Sequence, residues 1–415
     1  MTNKVRVTLI GLLMTLCPIS GVGQWVTHIK DANIKTLLIR PYDTENEISF
    51  DELSHDVHQY SYTVRHLNAN MEMSDLMSSE YVEGFTTGDI TDYDHSLNTN
   101  VNYTHYRFMV PNEEMRLTRS GWYAVLIYED GDPENIVAVA TFPYFIEKGN
   151  RSPISLTGKV TSQTVREFSG RYQQLDLELK VDPATRSEDY FIVVQQNNRW
   201  DNMVYRPQPT YREPNRLRWV NSQPLVFEGG NEYRRFDTYS TYYAGTGVDR
   251  IRYGQGDYYA ILDFDAMHTK GVYTHAYDSN GGRVVNAERC SDPDYEAEYM
   301  YVHFEYPCPT SSVLHPSSSR GTMYVGGSVF YNRLTDENRM LYDPDHECYW
   351  LDALIKQGGA DYQYWLVDRS SHVSLEKTEG SYWQTENDYT VYVYYRPFGA
   401  RCDELVGESH FPDLN

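Results

Sequence analysis

The sequence predicts an all-β protein of tandem β-sandwich domains that follow a cleaved signal peptide. Three observations predict it. Apolar and polar residues alternate with the period of a strand, as in Leu175, Leu177, Leu179 and Val181 against Asp176, Glu178 and Lys180. Turn-forming clusters break the chain at short intervals, among them Asp130-Gly131-Asp132-Pro133, Gly254-Gln255-Gly256-Asp257 and Asn280-Gly281-Gly282. No stretch keeps an apolar i, i+3, i+4, i+7 pattern for three turns, so short strands joined by turns are the natural reading. The aromatic balance agrees: 38 Tyr stand against 14 Phe and 7 Trp. Tyr suits half-buried strands, where the ring packs and the hydroxyl stays wet.

Taken in order, residues 1–23 read as a secretory signal peptide. Lys4 and Arg6 form the positive start, Val7 to Ile19 the apolar run, and Gly21-Val22-Gly23 the small-residue cleavage site. The run is short and holds Pro18, which argues against a retained membrane anchor. A first domain is expected over 24–150, where Tyr60, Tyr62 and Val64 alternate with polar neighbours and Lys148 to Pro153 forms a polar break. A middle β domain follows over 151–310. The Ser- and Pro-rich stretch 311–320 reads as a linker, because such a composition buries little apolar surface. A last domain is expected over 321–415, with Tyr389 to Tyr394 large on both faces and therefore buried on both. The best helical candidates are short, Ser74 to Val82 and Trp350 to Lys356.

Composition excludes several classes of function. A formal charge of −23 argues against nucleic acid or an anionic membrane surface as a partner. Past the signal peptide no apolar stretch is long enough to span a bilayer as a helix, and charges on both faces of most strands argue against a membrane barrel. Four cysteines remain in the mature chain: Cys290, Cys308, Cys348 and Cys402. They allow three pairings. Pairing within the expected domains gives Cys290–Cys308 and Cys348–Cys402, and free thiols packed in sandwich cores are the other reading. No C-x-x-C pair suggests zinc.

Signatures of catalysis are fragmentary. Ser374 to Lys377 matches S-x-x-K without its companion elements. His346-Glu347 begins a zinc motif that Trp350 breaks. His55 and His58, and Asp263 and Asp265, are close in sequence but read as loop and strand residues. Asp278 to Gly282 resembles a calcium loop, yet Arg289 stands where the bidentate Glu belongs, so it reads as a hairpin turn. No enzyme, cofactor or metal site is expected.

Particular segments carry more. Ile34 to Leu38, Ile48 to Leu53, Tyr81 to Phe85, Ile90 to Tyr93, Ser96 to Thr99, Tyr103 to Tyr106, Pro111 to Glu113, Ser120 to Tyr123 and Tyr128 to Asp132 occur in this order. Together they resemble the N-terminal domain of the type 9 secretion system plug protein family of Bacteroidota. Gln196 to Asn202, Gly230 to Asp237, Tyr389 to Arg396 and Asp403 to Gly407 resemble its later blocks. One block departs: His66 to Met71 stands where the family usually has a Cys and a closing Asp-Trp. Tyr324 to Asn332 and Lys356 to Tyr364 are similar to early-set Ig-like modules found beside starch-active enzymes, with Arg333 in place of the usual Trp. These resemblances imply tandem Ig-like or early-set sandwiches. They imply a non-catalytic periplasmic protein that binds the outer-membrane translocon barrel and closes its periplasmic opening. The early-set likeness implies the alternative, a glycan-binding protein of the periplasm or cell surface.

Candidate contacts follow from the family-like stretch 68–106, which is long, irregular and rich in Tyr, Asn, Asp and Gly. They are Asn68, Asn70, Phe85, Tyr93, His105 and Tyr106, with Trp200 from the second block. The other reading of the stretch is a set of self-packed turns. The signal peptide generates the first testable expectation: intact-mass analysis of the periplasmic protein should find a chain beginning at Gln24, and a lipidated Cys17 at the N-terminus would refute it.

Overall fold

The computed structural model describes residues 25–146, 154–162, 170–264, 272–319 and 321–411. The expected signal peptide, the break at 148–153 and Asp265 lie outside the described residues. The described chain forms three β-sandwiches. In the first, one sheet orders its strands His28–Ile29, Ile136–Tyr144, Gly121–Glu129, Tyr60–Leu67 and Thr87–Ile90. The facing sheet orders Ile34–Tyr42, Glu45–Glu52, Thr104–Val110 and Asp92–His95. Phe50, Val64, Tyr106, Tyr123, Val125 and Ile127 meet between them. The strand Gly121–Glu129 is apolar at nearly every position because both its faces are covered. Tyr123, Val125 and Ile127 point into this core, while Trp122, Ala124 and Leu126 pack outward against the second sandwich.

The second sandwich is assembled from two distant parts of the chain. One sheet holds Ser155–Ser162, Tyr172–Lys180, Arg216–Trp219 and Tyr211–Glu213, with Val226–Glu228 also on Tyr172–Lys180. The other orders Val204–Tyr205, Tyr190–Gln196, Tyr389–Tyr395 and Glu404–Phe411. Tyr190 opposes Tyr395 and Gln196 opposes Tyr389, so the last strands of the chain complete a sheet begun two hundred residues earlier. Leu175, Leu177, Leu179, Ile192, Val194, Trp219, Val391 and Val393 share its core.

The third sandwich is inserted between those two parts. Gly358–Val367 is the hub of one face, pairing with Arg234–Asp237, Arg283–Val285, Thr322–Gly326 and Val373–Ser374. The other face orders Val248–Gly254, Asp257–Leu262, Tyr299–Pro307, Cys348–Lys356 and Leu341–Asp343. Asp257–Leu262 and Tyr299–Pro307 are parallel, which the long connection between them permits.

The domain limits therefore differ from those expected. A unit over 321–415 does not exist as such, because 389–411 belongs to the second sandwich. The stretch 311–320 is no spacer between domains. Leu314 is buried in the third core, Tyr349 OH donates to its carbonyl (2.9 Å), and Pro316–Ser319 forms a short helix. Trp350 to Lys356 is strand rather than helix, since Leu351, Ala353 and Ile355 alternate into the core. Of Ser74 to Val82 only Ser78–Glu80 makes a helical turn. All four cysteines are free thiols. Cys348 and Cys402 were expected to share a domain, but Cys348 lies in the third sandwich and Cys402 in the terminal hairpin of the second. Among the described residues no helix is long and apolar enough to cross a membrane.

A buried ionic cluster locks the first sandwich to the third. Asp51, on Glu45–Glu52, is fully buried. Its Oδ2 accepts from Lys356 Nζ (2.6 Å) and from Tyr299 OH (2.6 Å), both on the third sandwich. Its Oδ1 accepts from His105 Nδ1 (2.6 Å). Burial alone would raise the Asp51 carboxyl, but Lys356 and His105 outweigh it and hold the group below the ordinary carboxylate value. Burial pushes the Lys356 ammonium down against the pull of Asp51. Lys356 Nζ also donates to the Asp294 carbonyl (2.5 Å), and Arg40 grips the Asp294 carboxylate at 2.7 and 2.5 Å. Breaking one partner of such a pair leaves a charge uncompensated in a dry site. Lys356→Met should therefore lower stability by about 3–5 kcal/mol in urea unfolding. Adding Asp51→Asn should recover part of that loss, because no carboxylate then stays buried without its cation.

Candidate interaction surface

The stretch 68–106 is partly internal packing and partly free surface. Asn68 faces the second sandwich: its Oδ1 accepts from Asp403 N (3.0 Å), and Asp403 Oδ2 accepts from Ala69 N (3.0 Å) in return. Asn70 closes its own turn, accepting from Glu72 N (3.2 Å) and donating to Glu72 Oε2 (2.6 Å). His105 belongs to the buried cluster around Asp51. Tyr106 is fully buried, stacked on Phe50 with centroids 5.2 Å apart, and its hydroxyl accepts from His58 N (2.8 Å). Trp200 packs against Trp122 (5.6 Å between centroids) in the seam between the first two sandwiches. Asn68, His105, Tyr106 and Trp200 serve internal packing, Asn70 only its own turn, and His105 and Tyr106 have no free face for a partner. Phe85 and Tyr93 are different. Phe85 is 65% exposed between Val82–Gly84 and Thr87–Ile90, and Tyr93 is 40% exposed on the edge strand Asp92–His95.

The same seam positions a residue that sequence reading passed over. Trp122 Nε1 donates to Tyr394 OH (2.7 Å), and the Trp122 ring meets Tyr392 at 5.3 Å. This fixes the hairpin of Tyr389–Tyr395 and Glu404–Phe411 against the first sandwich. The hairpin loop is tied there by Arg401, which donates to the Asp75 carbonyl (3.4 Å) and pairs with Glu80. At its tip stands Phe398, 99% exposed. The signal was present: a large apolar residue between Pro397 and Gly399, in a turn where no core can reach it. Phe398 thus projects from a loop docked beside the Ser78–Glu80 turn, a few residues before Phe85.

The chemical motifs resolve into structural roles. Among the described residues no three His, Cys, Asp or Glu side chains converge as a metal site. His58 Nδ1 pairs with Glu129 (2.5 Å), while the His55 ring meets His95 at 4.8 Å. Asp278 receives Tyr233 N (2.5 Å) and Asn280 N (2.9 Å), which makes the expected turn. In the early-set-like segments, Val325, Val329, Phe330, Tyr362 and Tyr364 are buried in the third core, and Tyr324 and Tyr331 are half-buried.

His66 braces the first turn of the stretch. It is buried, with Nδ1 3.0 Å from Ser74 Oγ and Nε2 3.4 Å from the Ser120 carbonyl. A carbonyl only accepts, so Nε2 carries the proton and Nδ1 accepts from the serine hydroxyl. Gly121 is required beside it, since a Cβ there would meet His66 Nε2 at 2.3 Å. Burial pushes the His66 pKa down to about 4. The folded state then binds fewer protons than the unfolded one below pH 6.5. This contribution is present above pH 6.5 and is lost as pH falls toward about 4, costing about 3 kcal/mol by linkage. Thermal unfolding followed from pH 7 to pH 4 should show that acid limb, and His66→Gln should flatten part of it.

Comparison with known proteins places this geometry. Residues 28–145 match the type 9 secretion system plug protein 1st domain, which is the first sandwich from its first strand to the end of its last. The chain is similar to a hypothetical protein from Parabacteroides merdae whose crystal structure is known. Identity is 32%, the alignment covers 94% of this chain and 99% of that one, and the TM-score is 0.85. No curated protein matches the chain. The first sandwich is thus, from its first strand to its last, a type 9 secretion system plug protein 1st domain, set in an all-β chain related over nearly its whole length to the Parabacteroides merdae protein.

Proposed function

We propose that this protein is a non-catalytic periplasmic plug that binds the outer-membrane translocon barrel of the type 9 secretion system and seals its periplasmic opening. The match of the first sandwich to the plug protein 1st domain supports a part in type 9 secretion. The observation that carries the finer reading is the locking of three sandwiches into one body. The first is pinned to the third by the buried Asp51–Lys356 pair and to the second by the Trp122–Tyr394 seam. A reversible stopper must keep its shape under load, and a buried charge cluster resists the sliding that a purely apolar contact allows. The strongly acidic surface keeps such a body soluble when it is released.

On this reading Phe85, Tyr93 and Phe398 are the anchors, because they are large, exposed and set on a docked framework. A second reading, glycan binding, rests on one observation: Tyr259 and Tyr301 stack at 5.4 Å with an interplanar angle of 19° on a half-exposed strand face. Co-purification of the mature protein from outer-membrane extracts separates the two. A very large barrel should come down with the wild-type chain. Phe85→Ala, Tyr93→Ala and Phe398→Ala should each weaken its capture by about 5- to 30-fold while the thermal midpoint stays within about a degree or two. Capture of glycan with no barrel would support the second reading and defeat the first.

A further inference from the structure

Between the first and third sandwiches lies a cavity of about 200 Å³. One wall is the strand His28–Ile29 with Lys35 and Thr36. The opposite wall is Cys348–Lys356 with the turn at Val329–Tyr331. Its charges are nearly all matched. Lys35 pairs with Glu337 (2.9 Å), Asp352 accepts from His303 Nδ1 (2.7 Å), and Lys356 is spent on Asp51. Arg283 is the exception. It lines the cavity from the strand Arg283–Val285, and among the described residues its guanidinium has no hydrogen-bond or ion-pair partner. It lies close enough to add to the downward push of burial on Lys356 and to oppose the burial that raises Tyr331.

A second cation beside the same wall is also without a carboxylate. Arg333 donates to the Val26 carbonyl (3.2 Å), and burial alone pushes its pKa down. In a chain with a formal charge of −23, two arginines without counterions at one joint are an excess of positive charge where the rest of the protein is negative. Ile29, Phe330 and Leu354 give the cavity an apolar part, beside Thr36 and Tyr331. The volume holds roughly six water molecules, which suits a small acid or a chain end and excludes a nucleotide.

We propose that this cavity binds an organic carboxylate with a short apolar body, the carboxylate on the Arg283 guanidinium and the body against Ile29, Phe330 and Leu354. A guanidinium offers the forked donors a carboxylate needs. The carboxylate belongs either to a free organic acid or to the last residue of a polypeptide. Isothermal titration of the full mature chain distinguishes the sources. The probes are 3-phenylpropionate and the tripeptide Gly-Gly-Phe with a free or an amidated carboxyl. Binding of the free-acid tripeptide but not its amide assigns a chain end; binding of phenylpropionate alone assigns a free acid. In either case Arg283→Gln should weaken binding about tenfold or more, and Leu354→Glu, which sets a carboxylate in the wall, should abolish it. Arg283 has no partner to lose, so its variant should melt with the wild type. No heat from any probe up to about 10 mM, or equal binding by Arg283→Gln, would overturn the proposal.

Discussion

A single carboxylate, that of Asp51, sets the arrangement of the molecule. It is fully buried between two sandwiches and is satisfied only when both are in place: His105 comes from its own domain, Lys356 and Tyr299 from the other. Burying two charges is costly, so the pair contributes less to stability than its short contacts suggest. It contributes more to specificity. An apolar joint tolerates a shift of an ångström or two, whereas a displaced Asp51 would face neither its cation nor water. Arg40 on Asp294, and Glu298 accepting from Val101 N (3.0 Å), extend the same logic along the joint. The relative position of the first and third sandwiches is therefore defined by polar geometry, and that of the first and second by aromatic packing around Trp122.

Strand character was legible in the sequence because it is a local property. The alternation through Leu175, Leu177 and Leu179 reports one buried face wherever the strand pairs, and the structure buries all three. The double-sided run at Tyr389 to Tyr394 correctly announced burial on both faces. Partner choice is not local. Nothing in Tyr389–Tyr395 states that its neighbour is Tyr190–Gln196, so an inserted domain looks like a third tandem one. The Ser/Pro stretch misled for a related reason: composition predicts poor burial on average, and one residue, Leu314, was enough to anchor it. Trp350 to Lys356 holds apolar residues at spacings that fit either period, and only the neighbouring strand decides between them.

The surface was less legible than the fold. Residues near one another in the sequence have opposite fates: Tyr93 faces water on an edge strand, while Tyr106, on the strand paired with it, is fully buried. Residue type alone ranks these tyrosines equally as contacts. His105 and Asn68 are polar residues in a family-like block, yet they serve contacts between sandwiches. Phe398 was missed because it lies far in sequence from the irregular stretch it docks beside. Arg283 was invisible for the same reason: the lack of a counterion is a fact about three dimensions.

The interrupted second sandwich has a consequence for the order in which the chain acquires structure. Its two crossings to the third sandwich run side by side. Tyr382 N donates to Gly230 O (2.8 Å), Asn387 Nδ2 to Gly229 O (2.8 Å), and Arg234 meets Glu379 in a buried pair at 3.0 Å. A chain made from its N-terminus completes the first sandwich early. It then carries Tyr190–Gln196 with only the two-residue strand Val204–Tyr205 beside it, its other edge open until residue 389 arrives. The final strands close the second sandwich and, through Tyr392 and Tyr394, also complete the seam that receives Trp122. Maturation of the whole body thus waits on its last segment, and a chain cut short at the C-terminus would leave an unpaired strand and an uncovered aromatic face rather than a smaller working protein.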